Sequence, residues 1–489
     1  MKLYEYSALE LSKLLQNKKT CAVEIVKSFL EQIKNTDGEI GAYLAVCEDS
    51  AVKKAVEIDE KIAQGAKFLP LTGIPVAIKD NICTKEIPAT SACKMLDGFV
   101  SPYNAYVVDI LKQNGAIIIG KLNMDEFSAG NTTQTSYFKK TKNPVNTKYV
   151  PGGSSGGNAA AVAAKSAVLT LGSDSGGGIR QPASFCGVVG LKPTYGSVSR
   201  YGLTASVSSL EQISPLTRTV KDAALLYSVI CGQDSRDATS VNSAVCLSGT
   251  AQSLDGSFGQ PNYLENLTSD IKGVKIGVPI EYLKIADEQI CKKVYSAIER
   301  YKNLGATIIE INSNINPLAI LKAYYIISSA EISSNLSRYD GIKYGYRASQ
   351  YTSIEDMYTK TRNEGFQNEI KRRIMLGTFV LSAGNYDRYY KRAKLLQRDV
   401  IAEYEKTFQN CDVIMTPVTP TTAFKPETYT DSLKLYEQDI FTIPPNMAGL
   451  PAISIPLETS ENELPIGLQI IGNKFNEQIL LNTAYAYGV

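Results

Sequence analysis

Two glycine- and serine-rich turns stand close together in the chain. The first is Pro151-Gly152-Gly153-Ser154-Ser155-Gly156-Gly157-Asn158. The second is Gly172-Ser173-Asp174-Ser175-Gly176-Gly177-Gly178, running on into Ile179-Arg180-Gln181-Pro182-Ala183. Turns of this composition serve as plain sharp bends, as phosphate cradles, or as rows of unobstructed N–H groups that hold the oxyanion of an acyl-transfer intermediate. Neither is followed by GK[ST], and no GxGxxG links a strand to a helix, which weakens the phosphate reading. Upstream, the apolar run Ile74-Pro75-Val76-Ala77-Ile78 delivers Lys79 at its end. A lysine desolvated there can lose its proton near neutral pH and act as a base, whereas one that reaches back to the surface stays charged. Asp80, next in the chain, would hold Lys79 protonated if the two side chains met.

The base question is sharpened by composition, because the 489 residues include no histidine. Ser-His-Asp and Cys-His hydrolysis and His-ligated zinc or haem are therefore excluded within this chain. The nine cysteines are odd in number, scattered and never spaced as CxxC, which fits reduced thiols rather than a disulfide framework or a zinc site. No metal is expected. Lys plus Arg (51) nearly balances Asp plus Glu (49), so net charge makes no case for a nucleic-acid or membrane surface. The N-terminus lacks a basic region followed by an apolar core, no stretch is long enough to span a membrane, and a cytosolic protein is expected.

The elements that must position these residues alternate. Residues 1–65 read as helical, with Val23, Ile25, Val26, Phe29, Leu30 and Ile33 at helical spacing. Asn104 is expected to cap a helix through Gln113, Gly115 to end it, and Ala116 to Ile119 to form the next strand. Asp287 to Leu304 reads as a helix ended by Gly305, followed by the strand Thr307 to Ile311. Further strands are expected at Val274 to Val278, Val413 to Met415, Ile453 to Ile455 and Leu468 to Ile471, an α/β layered pattern. Residues 243–263 read as a surface insertion. Residues 352–396 read as a charged, helical segment whose Lys371, Arg372, Arg373, Arg388, Lys391 and Arg392 form a solvated face.

Taken together, the lysine strand (IKDN), the GGSSGG turn and the GSDSGGGIRQPA turn resemble the amidase signature family. The resemblance implies a single amidase domain over 1–489, an α/β/α layered fold with a central mixed, twisted sheet covered by helices. It implies Lys79 as base and Ser154, entered through a cis peptide bond, as the hydroxyl that relays protons. It implies an oxyanion hole from the backbone amides of Ser175, Gly176, Gly177 and Gly178. The family's acyl-forming serine falls at Gly178, which has no side chain to attack a carbonyl. Three explanations fit that glycine: a substitution introduced to capture substrate, a natural loss, or Ser175 standing in.

Outside the signature, Gly120 to Pro144, Ser333 to Arg347 and Glu364 to Tyr390 resemble the ammonia-supplying A subunits of bacterial glutamyl-tRNA(Gln) amidotransferases. That resemblance implies glutamine as substrate, B and C subunits as partners, and Glu-tRNA(Gln) bound mainly through B. ATP and Mg would be used by B, with no cofactor in this chain. It also implies Arg362 as the cation for the α-carboxylate of glutamine and Asp439 as the anion for its α-ammonium. Asn158 where the family has serine, a long loop from Ser248 to Pro261, and a family pattern that continues in a helix beyond Val489 are departures. The alternative readings are a stand-alone amidase for small amides and a non-catalytic scaffold within the same complex.

Overall fold

The apolar runs of the sequence do become strands, but the sheet they build is wider than those runs indicate. In the computed structural model, which describes residues 2–242, 262–312, 315–429, 431–460 and 463–489, the strands are β1 (Tyr43–Val46), β2 (Pro75–Lys79), β3 (Ile117–Leu122), β4 (Leu169–Asp174), β5 (Val189–Lys192), β6 (Gln212–Thr217), β7 (Lys275–Pro279), β8 (Thr307–Ile311), β9 (Val413–Pro417), β10 (Ala452–Pro456) and β11 (Gly467–Gly472). They form one 11-stranded sheet in the order β1-β3-β2-β4-β6-β5-β10-β11-β9-β7-β8. Pairing is mixed: β3, β2 and β4 run parallel, as do β9, β7 and β8, and an antiparallel block joins the two groups.

Strand alternation sends side chains to two cores, one on each face of the sheet. Val413, Met415, Ile453, Ile455, Leu468 and Ile470 join one apolar cluster with Ile25, Val26 and Phe29 of the helix Ala22–Ile40. Their neighbours Ile414, Ala452 and Ile471 join the other, with Ile320 and Tyr324 of the helix Pro317–Leu336 and Ile370 of Asn368–Leu381. Helices therefore cover both faces, the layered α/β arrangement expected from the sequence.

The register decides where chemistry can occur. Because β2 and β4 are parallel, with Ile78 opposite Leu171, Lys79 and the pair Ser173-Asp174 emerge at the same edge. β6 runs antiparallel to β4, with Gln212 opposite Asp174, so its entry residue Glu211 arrives there as well. The carboxyl ends of parallel strands are the usual place for a ligand in an open α/β sheet.

Several local expectations are revised. The N-terminal region is not wholly helical: Tyr43–Val46 leaves the helices to pair with β3. Asn104 does not cap its helix, which spans Tyr106–Gln113 with Ala105 before it; its Oδ1 instead accepts from the Lys85 amide at 2.8 Å. The expected insertion at 243–263 lies, apart from Asn262 and Tyr263, outside the described residues. The segment 352–396 is helical as expected, over Ile354–Gly365, Asn368–Leu381 and from Lys391 onward, but its basic residues do not share one solvated face: Arg373 is buried.

Candidate active site

Lys79 ends a strand on which every residue is buried, and its Nζ donates to Ser154 Oγ at 2.8 Å and to Ser173 Oγ at 3.0 Å. Burial strips the ammonium of water and brings its pKa down to about 8, while Glu211, Asp125 and Asp174 pull it back up. Asp80 does not share in this: its carboxylate faces Lys121 Nζ at 3.8 Å and accepts from the Thr90 amide and hydroxyl. Lys79 is thus directed away from its sequence neighbour and toward two hydroxyls.

The first glycine turn is shaped by a buried carboxylate. Asp125 accepts from the amides of Thr132 (3.1 Å) and Thr133 (2.9 Å), and its own amide donates to Ser154 O at 3.1 Å. A Cβ on Gly153 would lie 2.0 Å from Asp125 Oδ2, so no other residue fits there. The Gly153–Ser154 peptide is cis, placing Ser154 against Lys79. Asn158, the departure from serine, is buried and donates from Nδ2 to Leu171 O at 3.0 Å, tying the following helix to β4.

The second turn is held by an ion pair. Asp174 accepts from Arg180 Nε and Nη2, both at 3.0 Å, and Arg180 reaches on to Gln469 and Asn446. Burial opposes the charge of Asp174, but the guanidinium beside it holds the carboxyl at about 2. The same carboxylate accepts from the amides of Gly177 (2.8 Å) and Ile179 (3.1 Å). Of the four amides expected in an oxyanion hole, that of Gly177 is therefore turned to Asp174, which leaves Ser175, Gly176 and Gly178 to face a ligand. Ser175 lines the cavity, its Oγ 3.4 Å from Tyr324 Oη. Gly178 is not at positive φ, and a Cβ built on it would lie 3.0 Å from Ser154 Oγ and 2.9 Å from Ser173 O. A serine there needs a shift of a few tenths of an ångström and sets its hydroxyl beside that of Ser154.

These groups form the floor of a cavity of about 260 Å³, whose lining includes Ser154, Gly178, Tyr324, Arg373, Tyr436 and Asp439. Asp439 accepts from Asn131 Nδ2 at 3.1 Å, and burial pushes it up to about 8. Arg373 donates from Nε to Glu369 at 2.8 Å and lies over the rings of Tyr325 and Tyr436. Arg362 is not brought to this cavity. Its Nη1 donates to the carbonyls of Leu336 (3.0 Å) and Tyr339 (2.9 Å), closing the end of the helix Pro317–Leu336.

The Amidase family profile matches residues 24–481. The chain belongs to the amidase family. Among its relatives is the A subunit of the glutamyl-tRNA(Gln) amidotransferase of Thermoanaerobacter pseudethanolicus, 50% identical over 489 residues, all of this chain and 96% of the relative. Another, the second of two such A subunits by its number in Clostridium acetobutylicum, is 49% identical over 488 residues, covering 99% of each. The crystal structure of the glutamyl-tRNA(Gln) amidotransferase A subunit from Thermotoga maritima superposes with a TM-score of 0.80 at 38% identity, covering 99% of this chain and 95% of that one.

Within this amidase fold, sequence reasoning missed Arg373, Asp125 and Glu211. For Arg373 a signal existed. Ile370, Arg373, Gly377 and Val380 recur at helical spacing and are the buried stripe of their helix, so Arg373 faces inward where Arg372 faces water. Asp125 carried no comparable signal, since its partners are backbone amides of a loop seven to ten residues later.

Proposed function

We propose that the chain is the ammonia-supplying subunit of a tRNA-dependent amidotransferase that converts Glu-tRNA(Gln) to Gln-tRNA(Gln), with glutamine as amide donor and its hydrolysis blocked at Gly178. In this reading Lys79 is the base and Ser154 passes its proton. The amides of Ser175, Gly176 and Gly178 bind the oxyanion. Arg373 takes over from Arg362 as cation for the α-carboxylate, and Asp439 pairs with the α-ammonium. The partners are a B subunit, which uses ATP and Mg to activate the tRNA-borne glutamate, and a small C subunit. The setting is the cytosol; among the described residues no helix is long and apolar enough to cross a membrane.

The carrying observation is the 2.8 Å bond from Lys79 to Ser154 beside a residue whose Cβ would lie 3.0 Å from that same hydroxyl. Every part of an acyl-transfer relay is in place except the attacking oxygen. The test is glutamine hydrolysis before and after Gly178→Ser: the chain as it stands gives negligible turnover and the variant gives ready turnover. Equal rates would sink the assignment of residue 178.

The scaffold reading is favoured by the same glycine. It makes a complex that transamidates with free ammonia and not with glutamine. Failure of ammonia to substitute would count against membership in such a complex, and a monomer that ignores B and C would favour a stand-alone amidase.

A further inference from the structure

A buried carboxylate behind the lysine has no part in the relay just described. Ser173 Oγ accepts from Lys79 Nζ at 3.0 Å and from Asn81 Nδ2 at 3.0 Å. Its single hydrogen is given to Glu211 Oε1 at 2.8 Å. The direction of this chain is fixed, because ammonium and amide N–H groups can only donate. Glu211 is itself 1% exposed, and its Oε2 has no hydrogen-bond partner among the described residues.

Glu211 also faces a second cavity, of about 250 Å³, lined by Arg200, Tyr201, Ser208, Arg236 and Asp237 among others, and sharing no lining residue with the substrate cavity. We propose that Glu211, acting through Ser173, is the positioning residue that sets the charge state of Lys79, and that it does so from this second cavity. The proposal rests on Lys79 being the base.

The surrounding charges leave Glu211 in that position. Lys79 is faced by Asp125 from the loop after β3, by Asp174 at the end of β4 and by Glu211 at the entry to β6. Asp174 is paired with Arg180, and Asp125 is satisfied by loop amides and Thr135. Asp80 belongs to Lys121. Glu211 is the one carboxylate of these linked to Lys79 through a hydroxyl. Against it stand desolvation, which raises its own pKa, and the charges of Lys79 and Arg200, which lower it. A carboxylate so placed favours the ammonium form of Lys79, and removing it favours the free amine.

The experiment follows Lys79 itself, so it does not depend on turnover. The full chain, with Gly178 in place, is labelled with 13C-lysine, and the Lys79 ε-carbon, assigned by its loss in Lys79→Met, is titrated by NMR. Glu211→Gln is expected to lower the Lys79 midpoint by about one pH unit or more. Ser173→Ala lowers it by less, and Glu211→Asp restores most of the shift. An unchanged midpoint in folded Glu211→Gln overturns the proposal. Should that variant not fold, an unchanged midpoint in Ser173→Ala does the same. In the Gly178→Ser background the acid limb of kcat/KM should move with the NMR midpoint. A limb that stays while the midpoint moves supports the Glu211 assignment and removes Lys79 as base.

Discussion

The floor and the wall of the cavity are built differently. The floor, Lys79, Ser154 and the turn from Ser173 to Gly178, hangs from the ends of adjacent sheet strands and is fixed by buried bonds to the backbone and to Arg180. The wall, Glu369, Arg373, Tyr325, Tyr436 and Asp439, is gathered from helices and loops far apart in sequence. One lesson is that rigid strand ends hold reacting atoms, while helices supply the groups that select what is held near them. Another is that damage to the two regions should read out differently, as turnover in the floor and affinity in the wall.

The largest expected effect is in the floor. Gly178→Ser should raise glutamine hydrolysis by roughly a thousandfold or more, and the tight fit against Ser173 O should cost about 1–3 kcal/mol of stability. Its rate should climb as pH rises through about 8, where buried Lys79 loses its proton to become a free amine. A flat profile across that range would separate Lys79 from the chemistry.

Next is Asp174→Asn, which leaves Arg180 buried without its counter-charge and should destabilise the chain by about 3–5 kcal/mol in thermal or denaturant unfolding. A small loss would mean that Gln469 and Asn446 hold the turn without the ion pair.

In the wall, Arg373→Lys removes a planar, ring-stacked guanidinium. It should weaken binding of an α-amino acid amide about tenfold to a hundredfold in calorimetry, even with Gly178 present. The smallest effect belongs to Arg362→Ala. It loses bonds to two helix-end carbonyls, which should cost about 1 kcal/mol of stability and leave that affinity unchanged. Reversal of these two outcomes would restore Arg362 to the site.

The same division governs what the sequence reveals. The floor consists of short contiguous stretches whose glycines mark close backbone approach, so Lys79, Ser154 and the lost hydroxyl at Gly178 could be named from the residues and the resemblance they carry. Edge and connecting strands were harder: β1 and β5 are four residues each, too short for a period to declare itself. The wall depends on which turn of a helix faces inward. Arg362 and Arg373 both sit in charged helical segments, and only the inward position of Arg373 on its stripe separates them. Glu211 is legible only once β6 is known to run antiparallel to β4.

The position of β5 in the sheet also has a consequence during synthesis. Its outer neighbour is β10, made some 260 residues later, and the bond from Arg180 to Gln469 spans 289 residues. A growing chain therefore carries an open strand edge, with unpaired N–H and C=O groups, until Ala452–Pro456 has emerged. The turn bearing Gly178 is secured only by the last part of the chain to leave the ribosome, so a polypeptide stopped short of Asn446 holds the catalytic motif without the partners that lock it.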